Sequence, residues 1–185
     1  MTPKKTKKCA ICGDEFRPQN SLQKVCDYLC AAAYAKEKER KDYDRKTRQM
    51  KNDLLNNDKG HWMHKAQTTF NAYIRERDEG RPCISCGTMS GQMQAGHYRS
   101  VGAMGSLRFC TINCHRQCAT CNNYKSANLT EYRINLKKKI GEKAVDWLER
   151  DHPKKSWTID EYKRIHKKFM RMSKKLKARK LEAEW

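Results

Sequence analysis

Between Gly80 and Thr130 this chain carries no Asp and no Glu, and across its 185 residues acids are outnumbered 21 to 41 by Lys and Arg. The resulting formal charge of +20 attracts polyanions at long range and releases counterions when one binds, so nucleic acid is the natural partner. Apolar residues are also scarce. At 37% they allow one or two modest cores, and bound metal is expected to supply part of the folding free energy. No apolar run is long enough to cross a membrane, and no signal-like segment precedes Cys9, the chain opening Met1-Thr2-Pro3-Lys4-Lys5. The expectation is a cytoplasmic protein with no membrane partner, its ten cysteines kept reduced for metal rather than paired as disulfides. Nothing resembles a helix with a base-reading code, so DNA contacts are expected to be mainly to phosphate.

What the chain does have is paired cysteines. Cys83-x2-Cys86 and Cys118-x2-Cys121 have the spacing at which a tight knuckle aims two thiolates at one tetrahedral zinc ion. A second set, Cys9-x2-Cys12 and Cys26-x3-Cys30, brackets Phe16 and opens into an alanine-rich helical segment, as in a treble-clef finger. Two structural zinc ions are therefore expected. The first finger reads as architectural, with Lys4, Lys5, Lys7, Lys8, Arg17 and Lys24 available to phosphate. On spacing alone, Cys110-x3-Cys114 competes with the second quartet for its ion.

From Ala31 to about Asn57 the sequence is charged almost all round, with only Tyr43, Met50 and Leu54 as spaced apolar residues, which predicts a solvated linking helix. A second helix puts Ala66, Phe70, Tyr73, Ile74 and Arg77 on one face and ends at Gly80 before Pro82. Beyond the knuckle, Leu129, Tyr132, Leu136 and Ile140 form one stripe, Gly141 interrupts it, and Val145 and Leu148 continue a short helix that stops before Pro153. The last helix opens with a capping box, Thr158 to Glu161. It carries Tyr162, Ile165, Phe169, Met172 and Leu176 as a seam that packs on the body or pairs two subunits. Its other faces hold Lys163, Arg164, Lys167, Lys168, Arg171, Lys174, Lys175 and Lys177, a solvated face or a DNA-lining one.

His97, then Asn113, then Cys118-x2-Cys121 followed directly by Asn122, with Lys125 downstream, resembles the HNH (ββα-metal) endonuclease register. Gly96-His97-Tyr98-Arg99-Ser100, Leu107-Arg108-Phe109, the run from Asn113 to Asn128 and the N-terminal finger further resemble the phage NinG/Rap recombination proteins over most of the chain. That resemblance implies a metal-dependent DNA endonuclease acting on branched recombination intermediates, such as Holliday junctions and D-loops, in the host cytoplasm. It implies His97 as the general base, Asn113 as the amide bracing the histidine loop, and Asn122 as a ligand, with His97, of a catalytic Mg2+ or Mn2+; Asn123 is the fallback. Cys110 then becomes a small buried residue in a strand and Cys114 a spare thiol, while His115 is a further candidate for phosphate or metal. Arg99, Arg108, Arg116 and Lys125 are the expected DNA contacts.

The chain departs from the pattern at Gly96, where many HNH enzymes have an acidic ligand, and Asp78, Glu79 and Glu131 are the acids nearest in sequence. The expected fold is α+β and predominantly helical, with two small zinc modules, the second a treble-clef ββα-metal core. The expected segments are 1–35 (finger), 36–80 (linking and packing helices), 81–130 (nuclease core) and 131–185 (basic C-terminal helices). The alternative is a non-catalytic zinc-finger DNA-binding accessory protein. A protein-interaction module working through the terminal helix, with a homodimer or recombination proteins as partners, is a third reading.

Overall fold

The computed structural model describes residues 6–183, so Lys4 and Lys5 lie outside the described residues. The chain divides into two compact units, residues 1–56 and 57–185. The boundary cuts the expected 36–80 segment between its two helices. The helix before it has no apolar face to bury, and the helix after it has one.

In the first unit, β1 (Lys7–Lys8) pairs antiparallel with β2 (Glu15–Phe16), and α1 runs from Tyr28 to Asn56. Asp27 starts α1 earlier than the alanine run suggests, its Oδ1 accepting from Cys30 N at 2.8 Å. No residue of α1 is buried; Tyr43, Met50 and Leu54 are exposed, and Glu37–Lys41 (2.6 Å) and Asp42–Arg45 (3.0 Å) pair along its surface. Such exposed pairs contribute little to stability, being screened by solvent.

In the second unit, α2 (Lys59–Arg77) is capped by Asp58, whose Oδ1 accepts from Gly60 N and His61 N. It ends at Arg77, and Gly80 takes a positive φ of 74° in the turn that follows. A hairpin follows, β3 (Met93–His97) against β4 (Cys114–Cys118), with His97 opposite Cys114 and Gly96 opposite His115. A π-turn (Thr120–Tyr124) and a short 3-10 turn (Ser126–Asn128) lead into α3 (Leu129–Ile140), α4 (Glu142–Glu149) and α5 (Ile159–Ala183).

Residue alternation places the hairpin between two helical layers. On one face Ala95 and Cys114 join Phe70 and Ile74 of α2 and Phe169 of α5. On the other, Tyr132 of α3 donates to Gly96 O at 2.9 Å, and Tyr132, Leu136, Val145 and Leu148 pack with Ile84, Tyr98 and Leu107. Each large apolar side chain fully buried here stabilises by about 1.5–3 kcal/mol. The seam of α5 is used within the chain: Tyr162 and Phe169 are buried, and α5 packs on α2. Thr158 and Glu161 close the capping box at 2.8 and 3.2 Å. The segment expected as a strand around Cys110 is instead a pair of 3-10 turns, Gly105–Leu107 and Thr111–Asn113. No helix among the described residues is long and apolar enough to cross a membrane.

Candidate functional site

Each unit holds one cysteine tetrad. Cys9, Cys12, Cys26 and Cys30 form the first and Cys83, Cys86, Cys118 and Cys121 the second, the four Sγ atoms of each lying within 4.8 Å of one another. Zn–S bonds of about 2.3 Å in a tetrahedron put sulfurs about 3.8 Å apart. The measured Cys12–Cys26 and Cys86–Cys118 separations are 3.6 and 3.7 Å, so both sets fit zinc.

Backbone donors favour thiolate at one cysteine of each, while burial and the neighbouring sulfurs raise Cys26 in the first and Cys121 in the second. Burial works to raise the Cys83 thiol, but N–H groups of Cys86, Cys118 and Ser85 outweigh it and bring it down to about 7. At Cys9, burial is likewise outweighed by the N–H groups of Cys12, Ile11 and Cys26, which bring the thiol to about 6. Cys114 is fully buried outside the quartet among Phe70, Ile74 and Phe169, and burial pushes its thiol up. Cys110 packs half-buried against the Tyr98 cluster. Neither competes for the ion.

Beside the second tetrad lies a cleft of about 650 Å³ whose lining includes His97, Arg99, Ser100, Asn122 and Ala127. His97 ends β3. Its Nε2 lies 2.9 Å from Arg108 O, which only accepts, so Nε2 carries the proton and the lone pair is on Nδ1, 3.7 Å from Cys114 Sγ. The ring packs on Phe70 at 5.7 Å, and its burial lowers the imidazole's pKa below the usual 6.5.

Asn113, fully buried, clasps the loop after His97. Its Oδ1 accepts from Arg99 N at 2.8 Å, and its Nδ2 donates to Arg99 O at 3.0 Å and Leu107 O at 3.3 Å. Asn122 Nδ2 donates to Gln94 Oε1 at 2.6 Å, and its Oδ1 has no partner among the described residues. Asn123 is exposed and accepts only a long 3.4 Å bond from Asn122.

Of the expected DNA contacts, Arg99 lines the cleft. Arg108 is tied to Gln67 Oε1 at 3.1 Å, and Lys125 lines a different hollow beside the cysteine knuckle. Arg116 sits next to Asp78, which accepts from its backbone N–H at 3.1 Å. In the first unit Lys7 donates to Ser21 O at 2.6 Å.

His115 does not line the cleft, which corrects its reading as a phosphate or metal candidate. It is 2% exposed; Nδ1 receives Arg77 Nη2 (3.0 Å) and Lys139 Nζ (2.9 Å), while Nε2 faces Ile112 O at 3.1 Å. Two obligate donors on Nδ1 fix a neutral Nε2–H tautomer, and burial pushes its pKa down. The same network removes Asp78 from consideration as a cleft ligand. Burial opposes its charge, but Arg77 and Lys139 hold the carboxyl far below the usual range. Glu79 pairs with Lys180, and among the described residues no acid lines the cleft.

Gln117, which sequence reasoning passed over, is fully buried under the same face as Gly96. Its Nε2 donates to Ser85 Oγ (2.7 Å) and Ala127 O (2.6 Å), while Oε1 is buried with no partner among the described residues, a state that costs about 1–3 kcal/mol. A Cβ on Gly96 would lie 1.9 Å from that oxygen. The Ala127 carbonyl it holds belongs to a run of three left-handed residues, Ser126, Ala127 and Asn128, with φ of 46°, 65° and 45°. Only Asn128 is of a type that enters that region readily.

A family model described as "NinG: Bacteriophage Lambda NinG protein" matches residues 1–180. Protein ninG of Escherichia phage 933W is 37% identical over 194 aligned residues, covering 96% of each chain. Protein ninG of Escherichia phage lambda is 46% identical over 126 residues, 68% of this chain and 62% of that protein. No solved structure matches the chain significantly. A match of this extent, on a helical framework with two cysteine tetrads, makes the chain a member of the NinG family of bacteriophage proteins.

Proposed function

We propose that this protein is a metal-dependent DNA endonuclease of HNH type, working in phage recombination on branched DNA in the host cytoplasm. The observation that carries the reading is one cleft lined by His97, Arg99 and Asn122 beside a zinc-fitting tetrad, with Asn113 clasping the backbone of Arg99. The order knuckle, hairpin, turn and helix around Cys83 to Cys121 is the order of a treble-clef ββα-metal core.

In this reading water attacks phosphorus, His97 takes the water's proton on Nδ1, the P–O bond to the leaving oxygen breaks, and that oxygen takes a proton from solvent. The ring must turn away from Cys114 as DNA enters, a change between resting and substrate-bound geometry that is common for catalytic hydrogen bonds. Arg99 binds a phosphate oxygen, and the +20 charge holds the duplex arms. A divalent cation would neutralise charge on the phosphate; Asn122 Oδ1 is a hard donor of the right kind for it. Zinc in the tetrads is structural.

A second reading, a DNA-binding accessory protein without catalysis, is favoured by one observation: both ring nitrogens of His97 face protein groups in a cleft that no carboxylate lines among the described residues. Purified protein incubated with radiolabelled junction, flap and linear duplexes, with and without magnesium, separates the two. Magnesium-dependent cleavage of the branched substrates is the expected result. Tight binding with no product in any lane establishes the accessory role instead.

A further inference from the structure

We propose that a hollow across the hairpin from the His97 cleft, walled by Arg81, Asn135 and Lys139, binds a second phosphate of the same DNA and so positions the scissile one. The proposal rests on the nuclease reading and deepens it by naming a further contact to its substrate.

The hollow has a volume of about 260 Å³, and among the described residues no acid lines it. Arg116 of β4 fixes its place. The Arg116 carbonyl accepts from Ile84 N at 3.0 Å and its N–H donates to Asp78 Oδ2 at 3.1 Å, so both groups turn away from β3. Cys83 and Ile84, which line the hollow, therefore lie along the far edge of β4. The cleft instead takes Ala95 and His97 from β3, and the two sites share no lining residue. Two strand spacings, about 10 Å, separate them.

The charges around the hollow do not balance. Lys139 Nζ lies 2.9 Å from His115 Nδ1 and 3.4 Å from Asp78 Oδ1, which engages two of its three donors. The Asp78 carboxylate is already paired with Arg77 at 2.6 Å, and His115 is neutral. Arg77, Lys139 and Arg81 thus set three positive charges against one negative. Burial lowers the pKa of Lys139; Asp78 opposes the fall, and Arg77 and Arg81 add to it. An anion in the hollow relieves that penalty.

The donor set suits a tetrahedral oxyanion. Arg81 is exposed and offers a fork of N–H groups, and Lys139 a point charge. Asn135 Nδ2 adds an amide donor spent only on a long 3.4 Å bond to Ser85 O. A DNA phosphodiester and free phosphate share this chemistry, and the +20 charge of the chain favours DNA. A phosphate held here reads no sequence but sets the register of the duplex on the cleft.

The test is the salt dependence of junction binding, read by fluorescence anisotropy with zinc-loaded full-length protein, a fluorescein-labelled junction and no added magnesium. Arg81→Gln is expected to lower the slope of log affinity against log salt by about 0.9, the value of one lost phosphate contact. Arg81→Lys, which retains the charge, is expected to keep the slope. An unchanged slope in Arg81→Gln overturns the proposal. The thiolates of the tetrad offer these cations another role, balancing charge around zinc; Arg81→Gln would then lose zinc while its slope stayed at the wild-type value.

Asn135→Asp leaves both cations in place and sets a carboxylate in the hollow. It is expected to lower the slope in the same way, and it decides the matter where Arg81→Gln loses zinc; a wild-type slope in Asn135→Asp overturns the proposal. Inorganic phosphate is the probe for the other source. Broadening of its 31P resonance by wild type but not by Arg81→Gln, with equal DNA slopes, assigns the hollow to a free anion and overturns the DNA assignment. Cleavage is scored separately: a slope that depends on Arg81 without cleavage leaves the second phosphate site standing and removes the nuclease reading. Cleavage with a slope indifferent to Arg81 does the reverse.

Discussion

Replacing Asn113 by Ala tests whether a single buried amide holds the histidine loop. The side chain makes three hydrogen bonds, to Arg99 N (2.8 Å), Arg99 O (3.0 Å) and Leu107 O (3.3 Å), from a fully buried position. Each bond is worth about 1 kcal/mol net; Leu107 O keeps the Cys110 N–H at 3.1 Å, but leaving the Arg99 N–H without its acceptor adds about 1 kcal/mol, for a loss near 4 kcal/mol. With an m-value of about 2 kcal/mol/M, the urea midpoint of zinc-loaded protein should fall by about 2 M. Asn113→Asp should be at least as damaging, because it keeps the acceptor for Arg99 N but turns a carboxylate toward two carbonyls. Both variants should keep the first tetrad's zinc, which belongs to the other unit. A midpoint shift of less than about 0.3 M for Asn113→Ala would refute the reasoning and leave the clasp without energetic weight.

Elemental analysis should find zinc at about two per chain, with Cys83→Ser or Cys118→Ser unfolding the second unit and Cys110→Ser mild; a ratio near one would remove one tetrad. DNA affinity should fall steeply with salt, and reversing Lys167, Lys168, Arg171, Lys174 and Lys175 to Glu should weaken it. These residues are exposed on α5, so unchanged affinity would assign the helix to packing alone. His97→Ala should abolish cleavage with junction affinity nearly intact, whereas His115→Ala should lower stability, since it removes a buried acceptor shared by Arg77 and Lys139; an inactive but fully stable His115 variant would contradict the network. Stability should decline as pH falls below the usual histidine value of 6.5: burial lowers the folded pKa of His97 and His115, so the unfolded chain binds protons first, and a flat urea midpoint between pH 7 and 5 (about two units) would count against both assignments.

The helices were legible because their signals are local. The stripe Tyr132, Leu136, Val145, Leu148 and the Thr158–Glu161 box each lie within a few turns of chain, and each forms as the pattern dictates. The cysteine quartets were legible because metal geometry imposes spacing. The strand expected at Cys110 was not there because Leu107 and Cys110 are covered from α3 and α4 rather than by a neighbouring strand, so short 3-10 turns satisfy the backbone instead. The unit boundary was hidden because a charged helix and an amphipathic one follow each other with only Asn57 and Asp58 between them.

The polar interior was the least legible part, and the reason is physical. Asp78, His115, Asn113 and Gln117 are each at most 2% exposed, although none belongs to a type that composition places inside. Each is admitted by a partner distant in sequence: Asp78 by Lys139, His115 by Arg77, Asn113 by Arg99, Gln117 by Ser85 and Ala127. A one-dimensional reading sees such residues as surface or as catalytic, and so gave His115 a role that its two donors deny it. The same reading recorded the missing acid at Gly96 as a loss. In three dimensions Gly96 is the condition for Gln117, because even a methyl group at 96 would meet its amide oxygen. The glycine and the glutamine are one feature, divided between two strands that only the hairpin brings together.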